Sequence, residues 1–203
     1  GDDDVFHGLH VSPDLDTVMY TLAGLSDVET GWGLANESFR TLDMLKRYES
    51  ETWFNLGDQD FATHIRRTQL LNEGKSLSQV TIELSRSLGV EHQIIPMSDE
   101  KITTMLSTST GNLRMQEYFV KHQCEPIVQN VEYVGGLEAK PTKGFDDALN
   151  TAAITILCPS NPFLSLGPIL SIPTVKKRIA KLQNRVAVSP IIGGESVRGP
   201  ASK

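Results

Sequence analysis

The sequence is poor in cysteine and in basic charge, and each shortage narrows what it can be. Two cysteines among 203 residues, Cys124 and Cys158, are too few for a disulfide framework. Both lie in apolar stretches, so two reduced, buried thiols are expected, which fits a cytoplasmic protein. Lys and Arg number 19 against 25 Asp and Glu, a net charge of −6. Such a chain lacks the basic face that phosphate neutralisation needs, which argues against a general nucleic-acid binder. The longest run without charge, Ala148 to Val175, contains Pro159, Pro162, Pro168 and Pro173. Four prolines divide it into strand, loop and short helix, so no transmembrane helix is expected there. No signal-peptide pattern opens the chain. There is no initiator Met either: the sequence begins Gly1-Asp2-Asp3-Asp4, and a true N-terminus upstream is expected.

Several catalytic signatures are also missing. The five histidines, His7, His10, His64, His92 and His122, show no His-x-x-x-His spacing. There is no Gly-x-Ser-x-Gly elbow, no Gly-x-Gly-x-x-Gly and no Walker A loop. Serine-hydrolase, standard dinucleotide and P-loop kinase readings therefore lack support.

What is present is an ordinary globular composition, with 39% hydrophobic and 22% charged residues. The length suits one domain over 1–203. Residues 12–89 read as mainly helical. Ser12 stands at an N-cap with Pro13 at N1, Leu15, Val18 and Leu22 form an apolar stripe, and Gly24 ends the helix. Further helices are predicted over 37–48 and 59–72. Another starts at Ser76 with Gln79 in capping-box position. From 90 onward the pattern is α/β, with strands predicted over 92–96, 101–108 and 127–134 and a turn at Thr110-Gly111-Asn112. A short helix over 144–150 precedes an apolar strand, 153–157, of the kind covered on both faces. A basic helix over 174–183 and a strand over 185–189 follow. That strand–helix–strand order implies a βαβ unit and a parallel sheet.

Charge is unevenly spread. Residues 1–39 hold eight acids and no Lys or Arg, while 174–203 hold seven basic residues and one acid, Glu195. Two solvated faces would explain this. So would a site where carboxylates hold a metal and cations hold phosphates. The loops after the two apolar strands, Cys158–Phe163 and Pro190–Glu195, should open on one edge of the sheet, where α/β ligands bind. There Ser160 and Asn161 offer a hydroxyl and an amide, and Gly193 and Gly194 let a backbone approach a phosphate, although turn chemistry accounts for the same residues. Arg198, next to that glycine turn, is a candidate cation for a phosphate, with Lys176, Lys177 and Lys181 on a solvated helix face. The Asp2–Asp4 cluster is either solvated or gathered round a cation. Asp14 and Asp16 sit at a helix N-terminus, which itself stabilises them, and at most one should face a given site.

Together these motifs resemble the 2-phospho-L-lactate transferase family (CofD/FbiA). The resemblance is carried by Gly1-Asp2-Asp3, Gly8 to Gly24, Thr30-Gly31-Trp32-Gly33-Leu34 and Trp53 to Asp60. It continues in Pro96-Met97-Ser98-Asp99, Gln116 to Val120, Cys124-Glu125-Pro126 and Cys158 to Phe163. Gly167-Pro168-Ile169-Leu170, Val188 to Gly194 and Gly199 to Lys203 complete it. It implies a Rossmann-like three-layer α/β/α fold with a mainly parallel sheet and a helical insertion. It implies transfer of a phospho-acid (2-phospholactate, enolpyruvyl phosphate or phosphoglycerate) from a guanylylated diphosphate donor to Fo, the deazaflavin precursor of coenzyme F-420. GMP leaves, magnesium assists, and a homodimer is implied, with no nucleic acid or membrane partner. Carried over by motif, Asp2 and Asp3 would be the catalytic and metal-binding acids. Ser160, Asn161, Gly193 and Gly194 would handle nucleotide and phosphate. Asp14, Asp16, Trp32 and Arg40 would lie near Fo. The family's glycine-rich phosphate loop and first strand, and its C-terminal helical stretch, are not in this sequence. The resemblance therefore implies a piece of a longer enzyme or a truncated, inactive one. A related branch, the YvcK-like nucleotide-sugar-binding regulators, is the alternative.

Overall fold

A computed structural model describes residues 2–196. The chain forms two compact units, Asp2–Pro96 and Met97–Lys203.

The first unit opens with a hairpin, β1 (Asp4–Phe6) and β2 (Leu9–Val11), paired antiparallel with Val5 opposite His10. His7 and Gly8 form its turn, both at positive φ, 53° and 76°. A short turn of that hand suits the twist of a hairpin. Four helices follow: α1 (Pro13–Leu22), α2 (Arg40–Arg47), α3 (Asp58–Asn72) and α4 (Leu77–Ser87). Ser12 and Pro13 start α1 as expected, but the Ser12 side chain makes no capping bond. The expected stripe is rotated: α1 buries Asp16, Met19 and Tyr20, whereas Val18 and Leu22 are exposed. The buried side carries its own apolar stripe, Leu15, Met19, Tyr20 and Ala23, and the inward-turned Asp16 is met by an arginine described below. The capping box at Ser76 and Gln79 is present, with Gln79 N donating to Ser76 Oγ at 3.4 Å and Ser76 N donating to Gln79 Oε1 at 2.9 Å. Met19, Tyr20, Leu70, Val80 and Leu84 build one core. Val11, Leu56 and Phe61 build a second, with Phe6 stacked on Phe54 at 4.1 Å. Each large apolar side chain buried in this way contributes about 1.5–3 kcal/mol. The strand expected over 92–96 does not form; Ile94 and Pro96 are buried in a stretch without regular secondary structure.

The second unit contains an antiparallel sheet of β3 (Thr103–Thr108), β4 (Gly111–Arg114) and β5 (Val128–Val134), in the order β4-β3-β5. A π-helical segment, Glu117–Lys121, joins β4 to β5. Then come α5 (Lys143–Thr151), β6 (Thr155–Leu157), a π-helical turn Pro162–Leu166, α6 (Gly167–Ser171), α7 (Pro173–Lys181) and β7 (Arg185–Ala187). A last hairpin pairs β8 (Ile191–Ile192) with β9 (Glu195–Ser196). The βαβ expectation holds, since β6 and β7 are parallel with Thr155 opposite Arg185. The expectation of a mainly parallel sheet is corrected: among the described residues β6–β7 is the one parallel pair, and the other pairings are antiparallel. Tight turns such as Ser109–Thr110 return the chain antiparallel, and a parallel return needs a crossover as long as the one between β6 and β7. Ile102, Leu149, Ile172, Val175 and Ile179 form this unit's main core. Ile154, Ile156, Val186 and Val188 are about half exposed, so β6 is not the doubly covered strand that its composition suggested. Cys158, which follows it, is exposed for the same reason, and Cys124 is half-buried. Burial pushes the Cys124 thiol up.

Candidate functional site

In the Asp2–Pro96 unit the acids expected to matter are held in different ways. Asp2 is buried. Asp3 is half-buried, and its Oδ2 lies 2.9 Å from His10 Nε2 on the neighbouring strand. The β1–β2 pairing brings these two together, and the His10 backbone N–H, donating to Thr68 Oγ1 at 2.8 Å, ties the hairpin to α3. Asp4 is buried and accepts from the Val5 N–H. In the first turn of α1, Asp14 is exposed and Asp16 is only 5% exposed. Asp16 is committed to Arg67 of α3, whose two Nη atoms grip both of its carboxylate oxygens, one at 3.1 Å. Burial pushes the Asp16 carboxyl up, and the guanidinium acts against that push.

Arg67 is the centre of this cluster. Its Nη1 also donates to His64 Nδ1 at 3.0 Å and reaches the His10 carbonyl at 3.5 Å. A guanidinium has no lone pair to offer, so His64 Nδ1 is the acceptor and the ring is neutral, with its proton on Nε2. Burial, then the Arg67 and His10 charges, push His64 down to about 3. One turn earlier on α3, burial pushes the Asp60 carboxyl up to about 6. The sequence reading missed Asp60, His64 and Arg67. Their i, i+4, i+7 spacing was the available signal, since it places three polar side chains on the face of α3 that also carries Phe61 and Leu70.

Trp32 is 41% exposed in a turn whose Thr30 Oγ1 donates to the Trp32 carbonyl at 2.7 Å. Arg40 is exposed at the start of α2, where its backbone N–H donates to Asp58 Oδ2 at 3.2 Å. Asp58, which also accepts from Ser38 Oγ and the Thr41 N–H, is lowered to about 2 by those bonds.

In the Met97–Lys203 unit, the parallel register places Leu157 opposite Ala187, so the loops after β6 and β7 leave from one edge, as expected. The Val188 N–H donates to the Leu157 carbonyl at 3.0 Å and extends that edge. Asn161 Oδ1 accepts the Phe163 and Leu164 N–H groups at 2.9 and 3.0 Å, capping the π-helical turn. With Oδ1 used in this way, Asn161 has its Nδ2 donors left to offer. Ser160 stands beside it, half-buried. Gly193 and Gly194 form the turn of the β8–β9 hairpin at φ 61° and 87°, where glycine is the residue without strain. Arg198 lies outside the described residues. Lys176, Lys177 and Lys181 are exposed on α7, and Arg178 pairs with Asp146 at 2.8 Å.

Among the described residues no three His, Cys, Asp or Glu side chains gather as a metal cage. Magnesium does not need one. It takes one or two carboxylates and completes its shell with water and substrate phosphates. Asp2 and Asp3 offer carboxylate oxygens, the donor type that magnesium takes.

The whole chain, residues 1–203, matches the family model described as 2-phospho-L-lactate transferase CofD. It is 41% identical over its full length to a 2-phospho-L-lactate transferase of Methanopyrus kandleri, covering 66% of that protein. It is 42% identical, again over its full length, to a phosphoenolpyruvate transferase of Streptomyces griseus, covering 66%. The chain thus spans about two thirds of the length of these curated relatives. Among solved structures it is similar to a UPF0052 family member from Bacillus halodurans, with a TM-score of 0.59 and 16% identity over 91% of this chain and 56% of that one. At that identity the likeness concerns the fold.

Proposed function

The chain belongs to the 2-phospho-L-lactate transferase CofD family, and from that premise we propose that it is part of a transferase acting in the cytoplasm. The reaction moves a phospho-acid from a guanylylated diphosphate donor to the ribityl hydroxyl of Fo, in coenzyme F-420 biosynthesis. The observation that carries this reading is family-wide similarity over all 203 residues, with relatives named for phospholactate and for phosphoenolpyruvate transfer. No helix among the described residues is long and apolar enough to cross a membrane. We read the parallel β6–β7 pair as belonging to a Rossmann-like three-layer α/β/α arrangement, and the working protein as a homodimer.

The chain's residues then divide the work. Asp3, held by His10, and Asp2 accept the hydrogen bond of the attacking hydroxyl and orient it. They are also the residues that would hold magnesium, whose bound charge would offset that of the diphosphate. The hydroxyl oxygen bonds to the acid-bearing phosphorus, its proton passing to the carboxylate that orients it and from there to water, as the bond to the GMP oxygen breaks. Ser160, the Asn161 Nδ2 donors, the Gly193–Gly194 backbone and Arg198 bind nucleotide and phosphates. Asp14, Trp32 and Arg40, all exposed, line the approach of Fo, and Asp16 acts through Arg67 by fixing the first turn of α1. No covalent enzyme intermediate is involved. The exposed Cys158 has no base assigned to it, and positioning with electrostatics suffices for an in-line displacement.

The test is ligand class. Fo is strongly coloured and fluorescent, so titrating the full-length protein reports binding directly. Saturable binding of Fo and of GDP supports the transferase. Binding of sugar nucleotides without Fo would replace it with a nucleotide-sugar-binding regulator.

A further inference from the structure

Two glycines in the second unit mark where the segment after β6 lies closer to β5 than side chains normally allow. A Cβ on Gly167 would stand 1.9 Å from the Tyr133 hydroxyl and 2.4 Å from its Cζ. A Cβ on Gly136 would stand 2.1 Å from Ser171 Oγ. Gly167 has an ordinary helical φ of −53°, and Gly136 is not among the glycines at positive φ, so space and not backbone conformation demands glycine at both. The Tyr133 ring cannot simply swing aside, because it packs against the buried core built from Ile102, Leu149 and Ile172. Its hydroxyl donates to the Phe163 carbonyl at 2.8 Å. Phe163 is in turn bonded through its N–H to Asn161 Oδ1 at 2.9 Å. A continuous path therefore runs from the strand β5, through Tyr133 and the Phe163 peptide, to the Asn161 amide.

We propose that Tyr133, seated over Gly167, is a positioning residue for the Cys158–Asn161 loop and hence for binding the guanylyl diphosphate half of the donor. The inference rests on the reading that this loop handles the donor. It also gives a physical reason for the Gly167-Pro168-Ile169-Leu170 motif, to which the reaction assigns no part: Gly167 leaves room for the ring, and Pro168 provides the carbonyl that accepts from Ser171 Oγ at 2.7 Å. With Asn161 Oδ1 turned to the backbone, the loop presents donors, and its ligand atoms are acceptors such as phosphate oxygens or the purine O6 and N7.

The experiment measures GDP affinity by calorimetry and Fo affinity by fluorescence on the full-length protein, its variants Tyr133→Phe, Tyr133→Ala and Gly167→Ala, and the double variant Tyr133→Ala/Gly167→Ala. Tyr133→Phe removes the hydrogen bond to the Phe163 carbonyl and keeps the ring. It should weaken GDP about three- to tenfold, raise the donor KM in step, and leave Fo affinity unchanged. Gly167→Ala should weaken GDP at least as much. The double variant should bind GDP no worse than Tyr133→Ala alone, because the two changes break one contact. Leu149→Val, a change in the same core away from the loop, should lower the melting temperature and leave GDP affinity as it was. Wild-type protein that binds GDP, with Tyr133→Phe and Gly167→Ala both binding it equally well, overturns the inference alone. Wild-type protein that binds no GDP overturns the functional reading and the inference together.

Discussion

Replacing Arg67 with Leu is the perturbation for which the structure gives the most definite outcome. The side chains of Arg67 and Asp16 are 3% and 7% exposed, so solvent screens their attraction little. The guanidinium serves four acceptor atoms at once: both Asp16 oxygens, His64 Nδ1 and the His10 carbonyl. Leu keeps the apolar volume and removes all four contacts, leaving a buried carboxylate without its counter-charge. Such a loss costs about 3–5 kcal/mol, whereas removing both charges at once is often neutral or stabilising. For a chain of this size that is a fall in Tm of roughly 6–20 °C. Urea denaturation and calorimetry of Arg67→Leu, Asp16→Leu and the double variant would measure it, and the double variant should recover most of the loss. The deficit should also depend on pH, and its sign can be worked out. Burial raises the Asp16 carboxyl in the fold, so without Arg67 its ionisation opposes folding at pH 7 and stops doing so as pH falls through the raised pKa. His64 acts in the same direction. In the wild type it is pushed down to about 3, so acidification below about 6.5 protonates the unfolded chain first and weakens the fold, by up to about 1.4 kcal/mol per pH unit. In Arg67→Leu the His64 ring stands 3.7 Å from the Asp16 carboxylate and, once protonated, pairs with it. The gap between variant and wild type should therefore narrow from pH 8 to pH 5. A gap under about 1 kcal/mol at pH 7, or one that does not change over that range, would refute the account of this cluster.

Other outcomes follow from the same structure. Asp3→Asn should leave the melting temperature near that of the wild type and strongly weaken transfer across a magnesium titration, and native turnover would remove Asp3 from the reaction. Arg198→Ala should cost about 1.5–3 kcal/mol of GDP affinity, and Lys177→Ala on the exposed face of α7 less than about 1 kcal/mol, so equal effects would erase the distinction. Ser76→Ala, which breaks the capping box of α4, should cost about 1 kcal/mol of stability in urea and leave both ligand affinities unchanged. A donor chiral at phosphorus should give an inverted product, and Cys158→Ser should stay active; retention of configuration would point to a covalent intermediate.

The sequence was most informative where one local rule decided the outcome. The helix starts at Pro13 and Ser76, the stop at Gly24 and the parallel pairing of β6 with β7 follow from proline and capping residues, glycine and connection length. It misled where a tertiary contact decided. The apolar period of α1 pointed to Val18 and Leu22, yet the helix buries Met19 and Tyr20 together with Asp16, whose partner Arg67 lies 51 residues away. No local window contains such a pairing. The doubly covered strand inferred from 153–157 was a statement about neighbours, and composition does not say which neighbours are there. The site motifs were legible as residues but not as roles. Asn161 reads as a ligand-binding amide, and the structure shows its oxygen holding the Phe163 and Leu164 N–H groups. The pairing of Tyr133 with Gly167 had no sequence signal beyond a glycine at the start of a short helix.

The account stands most directly on transfer itself. Full-length protein, Fo, magnesium and a guanylylated phospho-acid are mixed, and GMP and the phospho-acid ester of Fo are followed together by chromatography and mass spectrometry. The account predicts that both form in equal amounts, that neither forms without Fo, and that Asp3→Asn abolishes both. GMP released without the Fo ester, or binding of Fo and donor with no product over many hours, would contradict it.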